Sequence, residues 1–154
     1  MNFSELFGNA QWVTCDSGCT SPVIKGDFFI EEPKKAEITI CGLGFFRLWI
    51  NGREVSKDKF VPVNSQYCKR DLTAFEYPIL DELSYRTYAV RYDISKFVVD
   101  GKNDIRVILG CGWFAQQKRS AEGFAKYGDI KLCYKIDVEN KSGKKYTFVS
   151  DEEP

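Results

Sequence analysis

Apolar and polar residues alternate with a period of two through much of this chain, the mark of strands with one buried face. The stretch Ala36–Val55, AEITICGLGFFRLWINGREV, shows it most clearly. Ala36, Ile38 and Ile40 point one way, and Glu37, Thr39 and Cys41 the other. Beyond Gly42-Leu43-Gly44, Phe46, Leu48 and Ile50 alternate with Phe45, Arg47 and Trp49. Asn51-Gly52 then predicts a hairpin, because both residues tolerate the positive φ of a type I′ turn. Similar alternation predicts strands over Tyr85–Tyr92 and Ile130–Val138, while Val23–Ile30 reads as a first strand and Lys144–Ser150 as a last one. Ile105–Leu109 reads as a buried strand, and Val61-Pro62-Val63 as a short extended piece.

Between these lie connections. Residues 1–22 read as an irregular lead-in, with Trp12-Val13 packing down and Asp16-Ser17-Gly18 turning. Ile94–Val99 reads as a turn or short helical piece closing on Gly101. Pro78 blocks a long helix through residues 71–84, and Gln116–Lys126 is a polar loop or short helix. Seven or eight strands with little helix predict an all-β domain: an antiparallel two-sheet β-sandwich over residues 23–154.

Composition narrows the function. The chain has 154 residues, one domain by length, and 44% of them are hydrophobic, enough for a core without covalent staples. Lys+Arg and Asp+Glu are equal at 22 each, which argues against a nucleic-acid surface and against an anionic membrane binder. No run approaches the roughly 18 apolar residues of a membrane-spanning helix, and no signal peptide is visible. There are six cysteines and no histidine. Cys41, Cys111 and Cys133 fall in or beside strands, where a free thiol behaves as a small hydrophobe. A reduced, cytoplasmic chain is the simpler expectation, although a piece of a longer secreted protein would look the same.

Little here suggests catalysis. Without histidine there is no Ser/His or Cys/His pair. Sugar hydrolysis asks for two carboxylates about 5 Å or about 6.5–9.5 Å apart. The acids Glu31/Glu32, Glu76, Asp81/Glu82 and Asp151/Glu152/Glu153 lie in polar connections and read as surface charge. Binding offers more. Trp113 follows Gly110 and Gly112 at a strand end, where a loop can present an indole to stack on a sugar ring. Asp129 supplies a nearby carboxylate, and Trp49 lies on the face opposite the core. Trp113 would also serve to plug the end of the sandwich core, and Trp49 to sit beneath a neighbouring domain or the lead-in segment. Calcium is the metal that a histidine-free sandwich could hold, and Asn103, Asp104 and Asp129 are the loop oxygens to inspect. Gly101-Lys102-Asn103-Asp104 also reads as ordinary turn chemistry.

Several of these segments together resemble the N-terminal β-sandwich module of bacterial α-L-rhamnosidases. After the Ala36–Val55 hairpin come Tyr88-Ala89-Val90-Arg91-Tyr92-Asp93-Ile94-Ser95, then Asp100-Gly101-Lys102-Asn103-Asp104-Ile105. Leu109-Gly110-Cys111-Gly112-Trp113-Phe114 and Tyr127-Gly128-Asp129 follow in the same order as in that family. Residues 71–84 depart from its pattern. The resemblance covers roughly residues 12–151. It implies a jelly roll, a piece cut from a longer polypeptide, and a catalytic helical-barrel domain as partner in that polypeptide. It also implies that the acids of catalysis lie in that barrel. Two roles follow. The module packs on the catalytic domain without holding sugar, or it binds L-rhamnose or a related sugar itself, as some similar modules do through calcium.

Overall fold

The computed structural model describes residues 2–15, 19–74, 84–116 and 126–151. Among the described residues one short helix, α1 (Phe3–Phe7), precedes eight strands. These are β1 (Val23–Ile30), β2 (Pro33–Leu43), β3 (Phe45–Ile50), β4 (Arg53–Glu54), β5 (Val90–Asp93), β6 (Gly101–Gly110), β7 (Lys131–Asn140) and β8 (Lys145–Val149). They form two four-stranded sheets, ordered β1-β6-β3-β4 and β5-β2-β7-β8, and the strand pairs are antiparallel. Only β3–β4 and β7–β8 are consecutive within one sheet; the other links cross between sheets, in the manner of a jelly roll. The expected all-β sandwich is the observed one.

Alternation explains the core. Ile38 and Ile40 of β2, Leu48 and Ile50 of β3, Val107 and Leu109 of β6, and Leu132, Ile136 and Val138 of β7 meet between the sheets with almost no exposure. Each buried Ile, Leu or Val contributes roughly 1.5–3 kcal/mol relative to an exposed one. At the β3–β4 hairpin Asn51 and Gly52 adopt φ of 50° and 70°, the two positive values a type I′ turn needs.

Two local expectations change. The strand predicted over Tyr85–Tyr92 shrinks to Val90–Asp93. Its first half is drawn away from the sheet: the Tyr85 and Arg86 amides donate to the Cys68 and Gln66 carbonyls. Val61-Pro62-Val63, read as a short extended piece, lies beside β3, where the Val61 carbonyl accepts from the Phe46 amide at 2.8 Å. The lead-in is partly helical, because Asn2 and Glu5 complete a reciprocal capping box around α1. The turn expected at Asp16-Ser17-Gly18 and most of the 71–84 and Gln116–Lys126 segments lie outside the described residues.

The lead-in also covers the outer face of the β5-β2-β7-β8 sheet. Phe7 and Ala10 bury Cys41 and Cys133 there, with Leu6, Trp12, Ala89 and Val149 around them. Val13 and Leu132 exchange backbone hydrogen bonds of 2.8 Å. Thus Cys41, on the polar side of its strand by periodicity, is 1% exposed. Cys15, Cys41, Cys68 and Cys133 are free thiols.

Candidate functional site: an aromatic loop end

The end of the sandwich where β3 begins and β6 finishes is built around two close backbone approaches. A Cβ on Gly44 would stand 2.3 Å from the Gly110 carbonyl oxygen, and one on Gly112 would stand 2.8 Å from the Phe45 amide. Their absence lets the turn after β6 lie directly on the start of β3. Trp113 then meets Phe45 edge-on, ring centroids 6.2 Å apart. Phe60, from the connection after β4, packs on the same Phe45 at 5.5 Å. Phe114 points the other way, to Tyr67 at 5.2 Å and Tyr127 at 6.1 Å. Tyr67 and Tyr127 are themselves 5.3 Å apart. Burial, ahead of any charge, raises the Tyr67 phenol above its usual range.

Six rings thus tile one end of the molecule. Phe60 is 71% exposed, Trp113 44% and Tyr127 43%. Such edge-to-face pairs contribute about 0.5–1.5 kcal/mol beyond their buried area, so the rings hold one another in place while staying open to solvent. Beside them lies a hollow of about 490 Å³, floored by Phe45, Phe60 and Ile108 and edged by Arg47, Lys57 and Lys59. Arg47 and Lys57 both reach Glu54, and their hydrogen bonds, that of Lys57 first, hold its carboxyl below the usual range.

The expected site residues fall in separate places. Trp113 is in the aromatic end. Asp129 lies three residues past Lys126, whose ammonium it meets at 3.1 Å, and is well exposed. Trp49 is on the outer face of the β1-β6-β3-β4 sheet, half-buried beneath the Arg47 guanidinium at 5.2 Å. Arg47 therefore links Trp49 to the hollow beside Phe45.

Asn103 and Asp104 sit at the other end of β6. Asn103 is fully buried. Its Oδ1 accepts from the Val99 amide at 2.8 Å and from Asn51 Nδ2 at 2.7 Å, and its Nδ2 donates to the Val99 and Gly101 carbonyls. Adjacent strand residues face opposite ways, so Asp104 projects outward, with Oδ2 3.1 Å from Arg106 Nε. About 20 Å of strand, at 3.3 Å per residue, parts this pair from the end that holds Asp129. The three oxygens considered for calcium do not converge. Among the described residues no three His, Cys, Asp or Glu side chains gather as a metal site.

Carboxylates do meet across strands, at positions the sequence did not single out. Asp27 stands opposite Asp104, and Glu37 opposite both Asp93 and Asp137. Each has a cation or hydroxyl partner on an outward sheet face: Lys102 for Asp27, Arg106 for Asp104, Arg91 for Glu37, Ser95 for Asp93, and Thr147 for Asp137. Of the earlier candidates, Glu31 and Glu32 are exposed beside the β1–β2 turn, while Glu76, Asp81, Glu82, Glu152 and Glu153 lie outside the described residues. Phe45, Phe60 and Tyr67 were also not singled out. Their available signal was the Phe45-Phe46 doublet, since only one of two adjacent strand residues can face the core.

A second, more polar cleft of about 900 Å³ separates the edges of β1 and β8. Tyr134 borders it, and burial, followed by the charges of Asp151 and Asp27, pushes its phenol up to about 12. A group whose proton is held more tightly in the folded state stabilises it below the unfolded pKa and loses that contribution as pH rises through the folded one. Stability should therefore fall between pH 10 and 12, and Tyr134→Phe should fall less steeply over that window, as urea midpoints would show. An equal decline in both proteins would contradict this.

The described residues thus form a two-sheet antiparallel sandwich with an aromatic loop end. Residues 31–153 match the family model of the α-L-rhamnosidase N-terminal domain. The chain belongs to that family. An α-L-rhamnosidase of Formosa agariphila is 28% identical over 127 residues, covering 79% of this chain and 12% of that protein. Among solved structures, the α-L-rhamnosidase from Dictyoglumus thermophilum superposes with a TM-score of 0.72 at 27% identity, covering 93% of this chain and 16% of that one. The native enzyme from Aspergillus terreus superposes at 0.73 with 21% identity, a likeness of fold, over 94% of this chain and 16% of that one. The chain spans about one-eighth of the length of the curated relatives it matches.

Proposed function

We propose that this domain is a non-catalytic accessory module of an α-L-rhamnosidase and packs on the helical-barrel catalytic domain of the same polypeptide through its aromatic loop end. The observation that carries the reading is the continuity of the exposed apolar surface. A lone stacking indole would suit a sugar ring. Here Trp113 is one of several open rings, joined through Phe45 to Phe60 and the hollow above Ile108. Large exposed apolar patches mark protein contacts, and aromatic residues with Arg dominate the centres of such contacts. The outward carboxylates are held in ion pairs and hydrogen bonds, which supports leaving the hydrolytic step to the barrel.

Mixing this chain with the separately produced barrel should give a measurable association by calorimetry. Phe60→Ala and Trp113→Ala should each weaken it at least about tenfold, or 1.4 kcal/mol. The module should stay folded in both variants, its stability lowered only by about the 0.5–1.5 kcal/mol of one ring pair, because neither side chain is fully buried. Association unchanged in both variants would place the contact elsewhere. Saturable L-rhamnose binding abolished by Trp113→Ala, with no affinity for the barrel, would replace docking by sugar binding.

A further inference from the structure

We propose that Cys41 and Cys133 are a cross-strand thiol pair that a small-molecule disulfide oxidises to an intramolecular bridge when the N-terminal lead-in lifts from the sheet. The two residues are direct partners in the β2–β7 ladder. Both are on the outer face of that sheet, because their strand neighbours Ile40 and Leu132 face the core between the sheets and adjacent strand residues face opposite ways. Leu132 spends its N–H and C=O on Val13, so the neighbouring Cys41–Cys133 pair is of the mutually hydrogen-bonded kind. Opposed Cα atoms in such a pair are about 5.5 Å apart, at the edge of the commonest disulfide spacing of about 5.5–6 Å. The bridge therefore needs side-chain rotation and a slight local pinch, with no change of register.

What keeps the pair reduced is cover. Cys41 is 1% exposed and Cys133 0%. Phe7 and Ala10 of the lead-in close over them. Burial raises both thiols, Cys133 to about 11, so little thiolate exists while the cover is shut. The cover is one short segment. It rests on the Phe3–Phe7 and Phe3–Trp12 ring contacts and on Gln11, whose amide donates to the Ser150 carbonyl and whose carbonyl accepts from the Ser150 hydroxyl, while Val13 and Thr14 anchor its end on Leu132 and Ile130. Lifting residues 2–12 leaves the core between the sheets in place, since Phe7 and Ala10 pack in a cluster separate from the main one, to which Val13 belongs.

The chemistry balances with glutathione disulfide as the oxidant. One cysteine thiolate attacks a sulfur of the oxidant, its S–S bond breaks, and one glutathione leaves as thiolate and takes up a proton. The second cysteine thiolate then attacks the sulfur of the mixed disulfide, and the second glutathione departs. Two protein thiols lose two protons and two electrons, and one glutathione disulfide becomes two glutathione molecules.

The test is oxidation of the folded full chain by glutathione disulfide, followed by alkylation and peptide mapping without reduction. The expected product is a Cys41–Cys133 crosslinked peptide. Asn2→Ala removes the exposed cap of α1 and should accelerate the crosslink about fivefold, the equivalent of one lost cap, without touching the core. Cys133→Ser should stop at a glutathione adduct on Cys41. Separate glutathione adducts on both cysteines of the unmutated chain would overturn the proposal. So would bridging of either to another cysteine, or a crosslink rate indifferent to Asn2→Ala.

Discussion

Asn103→Ala should destabilise the domain by about 4 kcal/mol, close to what a single buried side chain can cost. The carboxamide is fully buried and makes four hydrogen bonds, two at its oxygen and two at its nitrogen. They tie the turn before β6 to the β3–β4 hairpin through Asn51, which also donates to the Phe97 carbonyl and accepts from the Asp104 amide. Alanine leaves an amide, two carbonyls and the Asn51 nitrogen without that partner. Each buried polar group so orphaned costs about 1–3 kcal/mol, less where water reaches it. Urea unfolding measures the sum. Asn103→Asp sharpens the test. At neutral pH an ionised carboxylate would face the Val99 and Gly101 carbonyls, which disfavour its charge and raise its pKa. The protonated acid donates again, so the deficit of this variant relative to the unmutated protein should shrink as pH falls through that raised pKa. A loss below about 1 kcal/mol for Asn103→Ala would mean that water substitutes for the amide.

Gly44→Ala should cost a comparable amount for a different reason. Gly44 has φ of 126°, where an L side chain is strained, and the added Cβ would lie 2.3 Å from the Gly110 carbonyl oxygen and 3.0 Å from Ile130 Cγ2. A backbone oxygen cannot rotate aside as a side chain can. Strain of about 1–3 kcal/mol from the dihedral and about 1–3 kcal/mol from overpacking together give about 4 kcal/mol. The β2–β3 crossing must also open, which would shift Phe45 and with it Phe60 and Trp113. Gly143→Ala is the control. It has φ of 83° but nothing within 4 Å of the new methyl, so about 1 kcal/mol is expected. Equal losses at the two positions in urea unfolding would show that the contact with Gly110 is relieved cheaply.

Much of this molecule was legible in the order of its residues. Period-two alternation marked β2, β3 and β7 within a few positions, because one face of each strand must leave water and the other need not. Asn51-Gly52 marked its hairpin, because few other residue pairs take two positive φ values. Strand existence is a local property where apolar residues repeat this regularly. The half-lost strand before β5 was not legible, because Tyr85 and Arg86 are captured by carbonyls of Gln66 and Cys68, far back in the chain.

The candidate site was legible only in part. Trp113 could be picked out by the flanking Gly110 and Gly112. Its company could not, because Phe45, Phe60 and Tyr67 reach it from a strand start and a long connection whose paths depend on crossings between sheets. Asn103 shows the limit from the other side. As a residue type it suited a metal loop or a turn, and only its depth and four partners assign it to the turn. Cys41 and Cys133 looked like small hydrophobes on separate strands. Their facing positions came from the β2–β7 register, and their burial from a lead-in folded over a sheet face that alternation alone would leave in water. Alternation is written one strand at a time, whereas register, sheet order and cover depend on contacts between segments distant in the chain.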